Sequence, residues 1–202
     1  MTLRRKIIIL IGLVVLIGNS SLAMAESKPF SVIFINPGSA DHGFWGNVTK
    51  SMRAAAADLK IDLEVLSSDR NRVKMVRQAY SASTRVNKPD YMILVNEVKQ
   101  APAMLEATEA AGIRTLLLLN DLTEVQKALH GRARAEYSNL LGSITPDNRV
   151  AGYEMAKSLI DAARTAGLAE NGVTIMAFSG DKATPASLQR VVGLKEAVKE
   201  EV

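Results

Sequence analysis

From residue 30 onward the chain alternates between short apolar runs and longer stretches in which apolar residues recur every three or four positions. Residues 31–35 read Ser-Val-Ile-Phe-Ile and close at Asn36-Pro37-Gly38. A short apolar run bounded by Pro and Gly is the pattern of a strand buried on both faces of a parallel sheet. Behind it, Val48, Met52, Ala55, Ala56 and Leu59 mark one face of an Ala-rich helix. Residues 61–66 alternate apolar and polar and stop at Ser67-Ser68-Asp69, which predicts a half-buried or edge-proximal strand. Residues 71–86 carry Val73, Val76, Ala79 and Tyr80 on one side, a second helix that Lys88-Pro89-Asp90 breaks. Residues 91–95 and 114–119 are two further apolar runs. Between them Pro102 opens a helix over 103–111 and Gly112 stops it.

The pattern weakens between residues 122 and 139, where charged and small residues mix and a loop with a short helix is expected. It then resumes with a strand at 139–144, a turn and helix cap at Thr145-Pro146-Asp147-Asn148, and a helix over 150–166. A strand at 173–178, an exit turn at Ser179-Gly180-Asp181 and a helix over 186–199 follow. This alternation predicts an α/β fold, a doubly wound parallel sheet with right-handed crossovers. A domain crossing is expected in the weak stretch, giving a first α/β lobe over residues 26–135 and a partial second lobe over 136–202. Two βα units bury too little apolar surface to stand alone. Either they extend the first sheet or the chain lacks a C-terminal half.

The first 25 residues have a different make-up. Arg4-Arg5-Lys6 precedes an uncharged apolar stretch, and Ala23-Met24-Ala25 supplies a small-x-small site. That is the pattern of a secretory signal peptide cleaved after Ala25. Gly18-Asn19-Ser20-Ser21 makes the second half polar, unlike a membrane-spanning helix. Secretion without cysteine suits a bacterial periplasm or cell surface. The net charge of +4 comes from 25 basic and 21 acidic residues. Removing Arg4, Arg5 and Lys6 with the leader leaves +1, so charge gives no warrant for a nucleic-acid partner. The absence of cysteine excludes disulfides, thiolate zinc sites and cysteine nucleophiles.

No G-x-G-x-x-G follows the first strand, and no phosphate-binding lysine loop or G-x-S-x-G elbow occurs. His42 and His130 are far apart and form no helical metal-ligand pair. No catalytic residue, metal or cofactor is therefore expected, and the chain does not read as an enzyme. The positive signals sit at strand exits: Asn36, Asn96, Asn120, Asp121 and Asp147. In a doubly wound sheet those ends share one edge, where ligands bind. The same residue types also favour turns and N-caps. Phe44 and Trp45, at the start of the first helix, serve either as a hydrophobic plug or as a flat face for a ligand. A sugar-like ligand needs such a face together with planar amide and carboxylate partners for its hydroxyls.

Four segments together resemble the N-terminal half of the periplasmic sugar-binding proteins of ABC transporters, the type 1 periplasmic binding fold of ribose and galactose binders. They are the strand, polar loop and aromatic pair ending at Phe44-Trp45, and the strand closed by Asn96 with the unit from Ala107 to Asn120 after it. The others are Thr145-Pro146-Asp147-Asn148-Arg149-Val150-Ala151-Gly152 and Arg190-Val191-Val192-Gly193-Leu194. The resemblance covers residues 30–202. It implies that Phe44 and Trp45 line the sugar ring. Asn96, Asn120 or Asp121, and Arg190 would hydrogen-bond its hydroxyls or ring oxygen, with Asn36 and Asp147 close to the cleft. The sequence departs from the pattern in its longer loop at 37–43, and in Leu194 where an aromatic is usual. The implied role is capture of a small carbohydrate for an ABC transporter permease, or presentation of the bound state to a membrane sensor kinase. A transcription regulator of the same fold is disfavoured by the leader and by the lack of an N-terminal helix-turn-helix. Family members are longer, so the first lobe is expected nearly complete and the second truncated, with weak or no sugar binding by the chain as written.

Overall fold

The computed structural model describes residues 29–168 and 172–201. The expected signal peptide at residues 1–25 lies outside them. The apolar runs become β1 (Ser31–Asn36), β2 (Asp62–Ser67), β3 (Tyr91–Leu94), β4 (Arg114–Leu118) and β5 (Leu140–Ile144). They form one parallel sheet in the order β2-β1-β3-β4-β5. The periodic stretches become α1 (Gly43–Asp58), α2 (Arg72–Ser83), α3 (Ala101–Ala111), α4 (Glu124–His130), α5 (Asn148–Thr165) and α6 (Pro185–Glu200).

β1 and β3 are apolar along most of their length because their side chains alternate between two covered faces, whereas the edge strand β2 carries Asp62 and Glu64. Ile33, Ile35, Met92, Leu94 and Leu117 pack with Met75, Ala79 and Ala82 of α2 and with Met104 and Leu105 of α3. On the other face, Phe34 and Val95 pack with Trp45, joined by Val48 and Met52 of α1 and by Leu63, Val65, Ile93 and Leu118. Helices on both faces make the sheet doubly wound, as the sequence pattern predicts.

Local chemistry fixes the helix ends. Asn71 caps α2 by accepting from the Lys74 N–H at 3.0 Å, and Gly112 ends α3 at φ 69°. The short helix expected in the weak stretch is α4. It is nucleated by a capping box in which Thr123 and Gln126 each bond the other's backbone.

The pattern leaves open whether the later units extend the first sheet, and the first of them does. The strand at 139–144, beyond the expected crossing at residue 135, joins the same sheet as β5, with a register irregularity between Thr115 and Leu116. The Glu109 carboxylate anchors its start, accepting from the Ser138 N–H at 2.9 Å, the Asn139 N–H at 3.0 Å and the Asn139 amide at 3.0 Å. The strand expected at 173–178 does not form. Residues 172–180 have no regular structure, with Met176 78% and Phe178 92% exposed. A strand exists only with a hydrogen-bonded neighbour, and this segment pairs with none of the five described strands.

The last two long helices pack on each other at backbone distance. A Cβ at Gly152 would lie 2.1 Å from the Arg190 carbonyl oxygen, and one at Gly193 would lie 1.9 Å from that of Arg149. Only glycine allows this approach. The Arg149–Glu196 ion pair, at 2.7 Å, and the pairing of Lys157 and Arg164 with Glu201 line the same seam.

Candidate functional site

With β1 between β2 and β3, the chain leaves β1 toward one side of the sheet and builds the rest on the other. Their carboxyl ends therefore flank the switch point at which open α/β sheets hold ligands. The N-terminal end of α6 docks there. The Ala186 N–H donates to Asn120 Oδ1 at 3.1 Å, and the Val98 N–H reaches Thr184 Oγ1 at 3.4 Å. Asp181 ties the preceding turn, accepting from the Ala183 and Thr184 N–H groups at 2.7 and 2.5 Å. A cleft of about 770 Å³ lies between these elements, with Phe44, Trp45, Glu97, Asn120, Thr184 and Arg190 on its walls.

The aromatic pair divides its work. Trp45 is buried, 6.4 Å from Phe34 between ring centroids and tilted 43° to it. It also lies against Gly38, where a Cβ would stand 2.4 Å from the indole. Phe44 meets Trp45 edge to face at 5.2 Å and is 62% exposed. The plug and the flat face are thus two different residues.

The strand-exit polar residues also separate. Asn36 is fully buried and its amide is occupied: Oδ1 accepts from the Gly38 N–H at 2.8 Å and Nδ2 donates to Thr49 Oγ1 at 3.0 Å. Asn96 is equally buried. It donates to the Asp121 carbonyl and to Gln126 Oε1, both at 2.8 Å, and accepts from the Ala101 N–H at 3.1 Å. Asp121 accepts from the Leu122 N–H at 2.7 Å and pairs with Lys127 at 3.0 Å. Asp147 caps α5 through the Val150 N–H at 2.9 Å. Asp121 and Asp147 line a neighbouring cleft of about 480 Å³, which also touches Asn120. Arg190 is exposed, and among the described residues it forms no ion pair. Of the eight residues singled out in the sequence, Phe44, Trp45, Asn120 and Arg190 share the main cleft. Asp121 and Asp147 share the adjoining one, and Asn36 and Asn96 line neither.

Sequence reasoning passed over Glu97 and Thr184. Glu97 stands beside Asn96 at a strand exit, and Thr184-Pro185 is a readable helix start. Burial pushes the Glu97 carboxyl above its usual value; the nearby Asp181 charge adds to this and Arg70 offsets it in part. The strand exits around the cleft are also strained. Val98, Lys99 and Leu119 hold φ of 47°, 62° and 65°, a region that costs a non-glycine residue roughly 1–3 kcal/mol and gathers at ligand-binding positions. Among the described residues no group of three or more His, Cys, Asp or Glu side chains is placed to hold a metal ion.

No protein-family model and no curated protein sequence matches the chain. Solved structures do. A periplasmic sugar-binding protein from Pseudomonas fluorescens shares 32% identity over 84% of this chain and 48% of its own, with a TM-score of 0.67. The periplasmic component of the arabinose ABC transporter from Shewanella sp. ANA-3, bound to L-arabinofuranose, shares 19% identity over 84% and 50%, with a TM-score of 0.66. A transcription regulator of Lactococcus lactis shares 16% over 86% and 55%, with a TM-score of 0.62. The last two show the fold alone, which serves both a binding protein and a regulator. The chain spans about half the length of the structures it matches. By fold, and by sequence identity to one of them, it is related to the periplasmic sugar-binding proteins of ABC transporters.

Proposed function

We propose that this protein is a secreted solute-binding protein that takes up a small carbohydrate in the periplasm and presents it to an ABC-type permease. One observation carries the reading: an exposed aromatic face, an amide and an unpaired guanidinium meet in one cleft at the sheet's switch point, at Phe44, Asn120 and Arg190. A sugar needs that set, since its ring offers an apolar face and its hydroxyls take planar donors and acceptors. In this reading the sheet and α1 form one wall, and residues 177–195 form the other. The leader at residues 1–25 directs export, and sequencing the secreted protein should find Glu26 at its N-terminus.

Binding by this chain is weak in this reading, because Phe178, on the opposing wall, is 92% exposed and so offers the ligand little enclosure. The chain has a single tryptophan, Trp45, and it lines the cleft. Titration of its fluorescence with arabinose, ribose, glucose and galactose should give a saturable change with half-saturation near ~1 mM, equivalent to about 4 kcal/mol. The absence of saturation with every sugar, or a saturable change that Arg190→Ala and Phe44→Ala leave untouched, overturns the reading.

A further inference from the structure

Glu97 is a charged group on the cleft wall that the reading above does not use. It is half-buried, and among the described residues its carboxylate accepts no hydrogen bond and forms no ion pair. It forms the common wall of the main cleft and of an adjoining pocket of about 340 Å³ lined by Arg70, Arg72 and Asp181. The charged groups facing it are Asp181, from the turn before α6, and Arg70, from the loop before α2. Arg72 stands across the smaller pocket, and Arg190 and Lys195 of α6 line the larger one.

Arg70 and Arg72 are exposed, so water weakens their hold on the carboxylate. Asp181 stays ionised: burial works against its charge, but the Thr184 hydroxyl and the backbone N–H groups of Thr184 and Ala183 outweigh it and lower its pKa. Among the described residues Glu97 is thus the one carboxylate lining the main cleft, which it shares with Arg190 and Lys195, while Asp181 lines the adjoining pocket. A neutral hydroxyl can donate to Glu97 but leaves the charge of its unpaired carboxylate in place. An ammonium group donates and also neutralises it, adding the Coulomb attraction of a full positive charge to a hydrogen bond that either group can make.

We propose that Glu97 selects a ligand bearing a protonated amine, an amino sugar in preference to a neutral aldose. This rests on the carbohydrate reading of the cleft. The test is a Trp45 fluorescence titration of the wild-type protein and the isosteric Glu97→Gln variant with glucosamine, glucose and N-acetylglucosamine, whose nitrogen carries no charge. Half-saturation for glucosamine should lie about tenfold below that for the two neutral sugars in the wild type. The advantage should vanish in the variant, with circular dichroism confirming that the variant folds. Equal half-saturation for glucosamine and glucose in the wild type, or an advantage that survives in Glu97→Gln, overturns this inference and leaves the carbohydrate reading standing. No saturable response to any of the three overturns both.

Discussion

Replacing Gly193 by alanine tests whether the α5–α6 crossing holds the second wall of the cleft. The new methyl carbon would stand 1.9 Å from the Arg149 carbonyl oxygen and 2.7 Å from the Tyr153 nitrogen. Ordinary contact begins at 3.4 Å, so the helices must part by on the order of 1.5 Å. Both obstructing atoms are backbone and cannot rotate away. Overpacking of this kind costs about 1–3 kcal/mol, and the upper end applies where nothing can yield. Alanine regains about 1 kcal/mol over glycine inside a helix, which leaves a net loss of about 2 kcal/mol. For a chain of this size the melting temperature should fall by roughly 4–8 °C, measured by circular dichroism. Arg190 lies one turn before Gly193 and would shift with α6, so the half-saturation for sugar should rise as well. A Gly193→Ala protein that melts at or above the wild-type temperature would refute the crossing. Gly152→Ala, whose methyl would meet the Arg190 carbonyl oxygen at 2.1 Å, probes the same contact from the other helix.

Other outcomes follow from the site. Asn96→Ala removes the partner of the buried Ala101 N–H and of Gln126, and should cost about 2–3 kcal/mol in urea unfolding. Phe44→Ala should leave the urea midpoint nearly unchanged and weaken sugar binding severalfold, whereas Trp45→Ala, which empties a buried site, should cost about 3–5 kcal/mol. Glu109 gives a pH signature. Burial pushes its carboxyl up, but the Ser138 hydroxyl, the N–H groups of Ser138 and Asn139 and the Asn139 amide outweigh it, so its pKa lies below the ordinary 4.5. A depressed carboxylate stabilises the fold above its unfolded value, and that stabilisation is lost as pH falls through the folded one. Melting curves recorded from neutral pH downward should show a steeper acid loss in the wild type than in Glu109→Gln.

The sequence made the sheet legible because β1, β3, β4 and β5 are short, largely apolar runs and β2 is an alternating one, each with a Pro, Gly or Asn nearby, and each pairs within one structure. It misled at 173–178, where the same apolar pattern occurs without a neighbour to pair with. Strand formation is a property of two segments, and a pattern describes one. The candidate site was half legible for a related reason. Asn36 and Asn96 stand at strand exits, as a ligand contact would, yet each spends its amide on the loop that follows it. For Asn36 the signal was present: Asn before Pro-Gly favours an Asx-turn, and the Gly38 N–H closes it. Glu97 carried no motif at all. Its environment comes from α6, 86 residues away at the Val98–Thr184 contact, and no local pattern reports a partner at that distance.

The bare segment at residues 172–178 has a consequence for handling the protein. Gly-Val-Thr-Ile-Met-Ala-Phe contains no charge and no proline, favours β structure and stands open to solvent. Those are the properties of a sequence that seeds association between chains, so solubility should fall with concentration before the sheet itself is affected. Met176, 78% exposed within it, is also open to oxidation, and a sulfoxide there turns an apolar side chain into a polar one. Ageing in air and crowding at high concentration therefore act on the same seven residues, one making them more soluble and the other drawing them together.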